Sequence, residues 1–242
     1  MTTLATALAV PRARARTAYV LVGTLIAAIA IVGFWRTYFG PLLAGNVDEL
    51  PLVHFHVAVY VGWLVLVITQ AVLAAIGRVD LHTKLGRFGI GYGVVVIVAG
   101  LAVGFGMFVV RVRAGAAPEA IGRLFGPVVD MLIFAPLFAA AIYLRRTPEL
   151  HKRLMILATT TLLVAAVGRM RPFLPSFALQ QLVWCSPILL MMAYDYAKQR
   201  IVHLVYVFGL LLLLAESQPV RMAARTSDTW RSIGAWLAEA VQ

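Results

Sequence analysis

Charged residues are scarce in this sequence, because Asp, Glu, Lys and Arg make up only 13% of its 242 positions while hydrophobic residues make up 62%. Soluble domains average about 25% charged and about 45–50% apolar residues, so the composition excludes an ordinary soluble domain. Cysteine is almost absent too: Cys185 is the single one, which excludes an intrachain disulfide. The chain is therefore predicted to be a polytopic membrane protein.

The motifs of two common hydrolase classes are also missing. None of the serines stands in a Gly-x-Ser-x-Gly sequence, the setting of the nucleophile in α/β-hydrolases. No His-Glu-x-x-His occurs either, and that motif supplies the zinc ligands of many metalloproteases. Both classes are excluded, and whether the chain is an enzyme of another kind stays open.

Acidic residues are outnumbered, with 10 Asp and Glu against 21 Lys and Arg, a formal net charge of +11. The basic residues lie mostly in short loops between apolar runs, where they orient a membrane protein and contact lipid headgroups. We therefore expect the lipid bilayer as a partner, and no nucleic acid. The bias of Lys and Arg along the loops predicts a cytoplasmic N-terminus in a bacterial inner membrane.

Seven apolar runs are long enough, or nearly so, to cross a hydrocarbon core that needs about 20 helical residues. They cover residues 18 to 35, 51 to 76, 88 to 110, 126 to 144, 153 to 171, 178 to 195 and 201 to 218. The predicted fold is an all-α transmembrane bundle of about seven helices over 18–218. A basic segment, 1–17, precedes it, and an amphipathic tail, 219–242, follows it.

Small residues predict close packing of one helix, and a capping residue predicts where a second helix begins. One helix contains two glycine pairs with a four-residue spacing, Gly89 with Gly93 and Gly100 with Gly104, and this spacing lets helix backbones approach closely in lipid. In the tail, Ser227 is predicted to cap an interfacial helix. Its tryptophans, Trp230 and Trp236, are expected at headgroup depth; the alternative is a helix that binds a protein partner.

Polar residues inside the spans form a first layer near the outer ends of the helices. Charged groups in lipid are expensive and are candidate functional residues. The layer comprises His54, His56, Asp130, Arg169, Gln180 and Glu216. Residues two apart on a helix project about 200° from each other, so at most one of the two histidines faces a cavity. The alternatives are an imidazole bonded to a backbone carbonyl and a structural ion pair between Asp130 and Arg169.

A second layer lies at the inner ends, where His82, His151 and His203 stand beside basic residues. Imidazoles there could bind haem iron, a transition metal or a quinone; the alternative is that they help to bind lipid phosphates. The basic residues expected to contact headgroups are Arg78, Lys84, Arg87, Arg145, Arg146, Lys152 and Arg153.

A set of histidines and short motifs lies between residues 50 and 175: His56, Gln70, Leu81-His82-x-x-Leu85-Gly86-Arg87, His151-Lys152-Arg153-Leu154-Met155 and then Arg169 or Arg171. In these positions the chain resembles a family of uncharacterised bacterial multi-pass membrane proteins. The resemblance implies a shared helical bundle with these histidines as signature positions, and it implies no particular activity. A fainter similarity to small haem b membrane proteins and to helical oxidase-assembly proteins rests on histidines near helix ends.

Two functions therefore stay open. The first is a membrane protein that binds haem b, a quinone or a transition metal through the five histidines. The second is a non-enzymatic subunit that is transporter-like, interacts with lipid, or assembles with a membrane protein or a second copy of itself.

Overall fold

The structure, a computed structural model, describes residues 4–242 and the side chains of residues 17–242. The chain forms α-helices joined by short turns, with one π-helical turn at Trp35–Phe39. The helices are α1 (Leu4–Phe34), α2 (Gly40–Leu43), α3 (Pro51–Ala75), α4 (Val79–Arg113), α5 (Ala117–Tyr143), α6 (Pro148–Thr161), α7 (Val164–Gly168), α8 (Phe177–Gln199), α9 (Leu204–Ala215), α10 (Gln218–Arg225) and α11 (Asp228–Glu239). No strand occurs between residues 4 and 242, so the predicted all-α fold is confirmed.

Six helical segments are long and apolar enough to cross a membrane, as expected of a multi-pass membrane protein. They are Thr17–Leu43, Pro51–Ala75, Val79–Arg113, Ala117–Tyr143, Pro148–Gly168 and Phe177–Gln199. A seventh is possible if α9 and α10, which are bent by 51° to each other, count as one span. Pro219 lies in the first turn of α10, and its missing N–H cannot continue the hydrogen bonding of α9.

The fifth span is interrupted between α6 and α7. The hydroxyls of Thr159, Thr160 and Thr161 donate to carbonyls of their own helix, at 2.8, 2.8 and 2.7 Å, as the sequence allows. Such bonds bend helices. The span is nevertheless the most buried of the six, because α6 packs against α1, α5, α8 and α9.

Glycines allow α4 to pack closely between α3 and α5, as predicted. A Cβ atom added at Gly104 would lie 2.6 Å from Cβ of Pro127 in α5, and one added at Gly93 would collide with the ring of Phe138. Side chains are therefore excluded at these crossings. The ring of Phe138 fills the space that Gly93 leaves, and it packs against Trp63 with the ring centroids 5.6 Å apart.

The C-terminal helix α11 packs on the bundle, which corrects part of the prediction for it. Ser227 caps the helix, with its hydroxyl accepting from the Trp230 N–H at 3.3 Å. The indole of Trp230, however, donates to the carbonyl of Ile121 at 2.8 Å, so it is held by α5. Trp236 is 68% exposed, and the depth of both tryptophans in the membrane stays a prediction.

Candidate functional site

Two cavities enter the bundle from its opposite ends. The larger, about 840 Å³, is called the Arg169 cavity and is lined by His56, Asp130, Arg169 and Arg221 among others. The smaller, about 210 Å³, is called the His151 pocket; its polar lining residues include Gln70, His82, His151 and Lys152. The buried indole of Trp63 lines both, so this side chain separates the two spaces.

His54 and His56 point to different partners, as their spacing on α3 requires. Only His56 lines the Arg169 cavity. Its Nδ1 lies 3.3 Å from the carbonyl oxygen of Ala99, and because a carbonyl only accepts, Nδ1 carries the proton and Nε2 is left bare. His54 bonds instead to the hydroxyl of Tyr38, at 2.7 Å.

Asp130 forms its ion pair with Arg221, which corrects the alternative of a pair with Arg169. The guanidinium of Arg221 contacts the carboxylate of Asp130 at 2.6 Å and that of Glu216 at 3.0 Å. Arg221 is buried, so the pairing joins α10 to α5 in a partly desolvated site. Arg169 instead lies over the ring of Phe34, 4.5 Å from its centroid.

Gln180 and His203 lie outside both cavities. Gln180 is 1% exposed, and its amide donates to the carbonyl of Leu174 at 2.7 Å, closing the turn before α8. His203 is the N-cap of α9, where Nδ1 accepts from the Val205 N–H at 3.2 Å. Partial burial lowers the pKa of His203 below its usual value, and the charge of Arg153 lowers it further.

Arg153 is buried in an ion-pair network, which corrects its expected role as a headgroup contact. It is 2% exposed, and its guanidinium contacts the carboxylate of Asp195 at 3.0 Å and that of Glu149. The ring of Tyr206 lies 5.5 Å from the guanidinium. A residue held in this way cannot reach lipid phosphates.

The other basic residues at this end differ from Arg153. Lys152 is paired with Glu149 at 2.6 Å and lies 5.0 Å from the ring centroid of Tyr19. The exposed members of the group are Arg78, Lys84, Arg87, Arg145 and Arg146. Their headgroup contacts stay a prediction.

The two histidines of the His151 pocket share one arrangement. Nδ1 of His82 lies 3.2 Å from the carbonyl oxygen of Gln70, and Nδ1 of His151 lies 2.8 Å from that of Ala141. Both imidazoles therefore carry their proton on Nδ1, and in the neutral ring Nε2 is a free acceptor. The ring centroids are 6.5 Å apart with planes at 84°, so the two acceptors approach from different directions.

Two further residues that line this pocket, Gln70 and Trp63, carry polar groups without a hydrogen-bond partner in the described part of the chain. Both polar atoms of the Gln70 amide and Nε1 of Trp63 are buried, and none forms a hydrogen bond within the part of the chain that the structure describes. Unpaired buried polar groups are rare and each requires an explanation. Both residues are among those that line the His151 pocket, so a molecule bound there is a candidate partner for these atoms.

Sequence reasoning missed Asp195, Arg221 and Trp63. Asp195 ends an apolar run and so carried a signal, since an intramembrane carboxylate usually has a cationic partner. Arg221 fell in the predicted tail, outside the bundle. The unpaired indole of Trp63 carried no signal, because hydrogen bonding of a buried tryptophan depends on its neighbours in space.

No family model, curated protein or solved structure matches this chain. Between residues 17 and 242, no group of three His, Cys, Asp or Glu side chains is arranged to hold a metal ion.

Proposed function

We propose that the protein is a multi-pass membrane protein whose His151 pocket binds the ring of a quinone or hydroquinone. The observation that carries the proposal is the set of unpaired polar atoms on two residues that line a mostly apolar cavity: the amide of Gln70 and the indole N–H of Trp63. Ligand sites typically combine apolar walls with a few convergent polar groups.

The donors and acceptors suit both oxidation states of such a ring. A quinone carbonyl can accept from the Gln70 amide or the Trp63 indole. A hydroquinone hydroxyl can donate to the bare Nε2 of His82 or His151. Because the pocket offers two imidazole acceptors, we expect the hydroquinone to bind at least as tightly as the quinone.

The size and donor set of the pocket favour a single ring over haem or a metal. About 210 Å³ is below the roughly 300–1,000 Å³ of pockets for drug-sized ligands, so a ring head fits while any isoprenoid tail would extend into lipid. Structural zinc takes about four ligands, whereas the pocket supplies two imidazoles. The resemblance to the bacterial membrane family supports the same pocket, since Gln70, His82 and His151 carry part of it and line this cavity together.

We also propose a cytoplasmic N-terminus in a bacterial inner membrane. Support comes from the exposed basic residues beside the His151 pocket, at the end of the bundle from which α1 starts. Exposed Lys and Arg concentrate on the cytoplasmic side of membrane proteins.

The proposal is tested by titrating duroquinol and duroquinone into the purified protein under anaerobic conditions, with calorimetric detection. Gln70→Leu removes the amide at similar volume, and we expect about tenfold weaker binding from the loss of roughly one hydrogen bond. Thr69→Val is the matched control, because the Thr69 hydroxyl only donates to Val65 of its own helix.

A stability measurement on the same variants separates a ligand site from a structural one. Without ligand, Gln70→Leu should raise the free energy of unfolding by about 1–3 kcal/mol, since it removes a buried amide that has no partner. Absence of saturable binding to the wild-type protein, or unchanged affinity in Gln70→Leu, would overturn the proposal.

A further inference from the structure

The Arg169 cavity combines an apolar wall with a basic rim. Along α3 its lining runs from Val53 to Leu64, a depth of about 16 Å at 1.5 Å per residue. This is close to half of a hydrocarbon core of about 30 Å, or the thickness of one leaflet. The volume, about 840 Å³, lies within the range of roughly 300–1,000 Å³ for ligand pockets.

Arginines dominate the charged groups of this cavity. The lining contains Arg111, Arg123, Arg169, Arg221 and Arg225 against the carboxylates of Glu49 and Asp130. Two of these arginines are neutralised, because Arg123 pairs with Glu119 at 2.7 Å and Arg221 pairs with Asp130 and Glu216. The surplus of guanidinium groups therefore lies with the other three.

Arg111, Arg169 and Arg225 have no ion pair with a carboxylate among residues 17–242. The guanidinium of Arg169 donates to the carbonyl of Ala165 in its own helix, at 2.8 Å. That of Arg111 donates to the carbonyl of Met107, at 3.4 Å. A guanidinium has five N–H donors, so most of theirs remain available to an anion.

We propose that the Arg169 cavity binds a single-chain anionic amphiphile. Its carboxylate or phosphate head pairs with Arg169 and Arg111 at the rim, where the planar guanidinium matches both groups. Its acyl chain lies along the apolar wall toward Trp63. The head stays at the rim, because Arg221 is already neutralised by Asp130 and Glu216 and offers no free cation to a second anion.

A headgroup series on the wild-type protein tests this proposal without any substitution. Dodecanoic acid, dodecyl phosphate, dodecanol and inorganic phosphate are titrated into protein in a neutral maltoside detergent, and bound ligands are counted by native mass spectrometry. We expect one molecule of dodecanoic acid or dodecyl phosphate per chain, and at least tenfold weaker binding of dodecanol and of inorganic phosphate. Preference between the two anions identifies a fatty acid or a lipid phosphate as the source.

Variants locate the binding. Arg169→Gln should weaken dodecanoate binding about tenfold through loss of a charge-assisted hydrogen bond, and Val57→Trp should block the apolar wall. Arg171→Gln is the matched control, because Arg171 lies against Phe177 outside the cavity. Circular dichroism and gel filtration check that each variant is folded.

Three results would overturn the proposal. Dodecanol binding as tightly as dodecanoate would show a merely apolar site, and inorganic phosphate binding as tightly would show an ion site. Unchanged dodecanoate affinity in both Arg169→Gln and Val57→Trp would place the ligand elsewhere. The quinone proposal is independent, since Arg169→Gln should leave duroquinol binding at the His151 pocket unchanged.

Discussion

Some buried polar side chains of this bundle have hydrogen-bond or ion-pair partners, and others have none. Arg153 and Asp195 satisfy each other in a buried ion pair, whereas the amide atoms of Gln70 and Nε1 of Trp63 are buried and unpaired. Burial of a polar group without a hydrogen bond costs free energy. We interpret the first pair as stabilising the fold and the second as part of the proposed quinone site.

Asp195→Asn should lower the free energy of unfolding by about 3 kcal/mol, because it leaves the buried Arg153 charge without one of its partners. Chemical unfolding in detergent measures the change. Asp80→Asn is the control: its pair with Arg78 at 3.4 Å is more than half exposed on both sides, and surface pairs contribute about 0–1 kcal/mol. Equal effects of the two substitutions would contradict the assigned role of Arg153.

His203 predicts how stability depends on pH. Its folded pKa is lowered and its Nδ1 accepts a hydrogen bond only when unprotonated, so the unfolded chain binds the proton first. The contribution of His203 to the free energy of unfolding is complete above the unfolded pKa of about 6.5, and it is lost as pH falls through the folded pKa. Thermal unfolding measured from about pH 8 down to about pH 5, a range that spans the ordinary histidine pKa, should show this loss of stability.

Two substitutions at this position separate the cap from the titration. His203→Asn keeps an N-cap acceptor and should abolish this part of the pH dependence, while His203→Ala should also cost about 0.5–2 kcal/mol at high pH. An unchanged pH profile in His203→Asn would show that another group titrates.

At the scale of helices, packing of α4 depends on glycine only where a side chain of a neighbouring helix comes close. Gly104→Ala should lower the free energy of unfolding by about 1–3 kcal/mol, because its Cβ would meet Pro127, whose ring cannot move aside. Gly91→Ala on the same helix meets no heavy atom within 4 Å and should add about 0.5–1 kcal/mol from helix propensity. Unfolding experiments that gave both variants the same sign would refute this account.

Helix positions could be predicted from the sequence, and helix partners could not. Because the hydrocarbon core of a membrane requires long apolar helices, six of the seven apolar runs in the sequence correspond to the six long helical segments of the structure. The break near Thr159–Thr161 and the bend between α9 and α10 depend on local hydrogen bonding and on Pro219. Which helices are neighbours depends on three-dimensional packing, so the sequence leaves an Asp130–Arg169 pair as an alternative, whereas the partner of Asp130 is Arg221.

At the scale of the whole molecule, the bundle gathers residues that are far apart in the chain. Gln70 lies near the C-terminal end of α3, and His82 and His151 lie in the first turns of α4 and α6. All three nevertheless line one pocket. The Arg169 cavity lies at the opposite end, beyond Trp63. The two proposed ligands, a ring and an amphiphile, would therefore occupy separate sites in one bundle.

The most direct test of the quinone proposal is nitrogen NMR of protein labelled with ¹⁵N in its histidines, recorded as duroquinol is added. The account predicts that two imidazoles, assigned to His82 and His151 by His→Phe substitution, carry their proton on Nδ1 and that their Nε2 resonances shift with duroquinol at saturation. If neither Nε2 resonance moves while duroquinol is in excess, the pocket does not bind the ring, and the central claim is wrong.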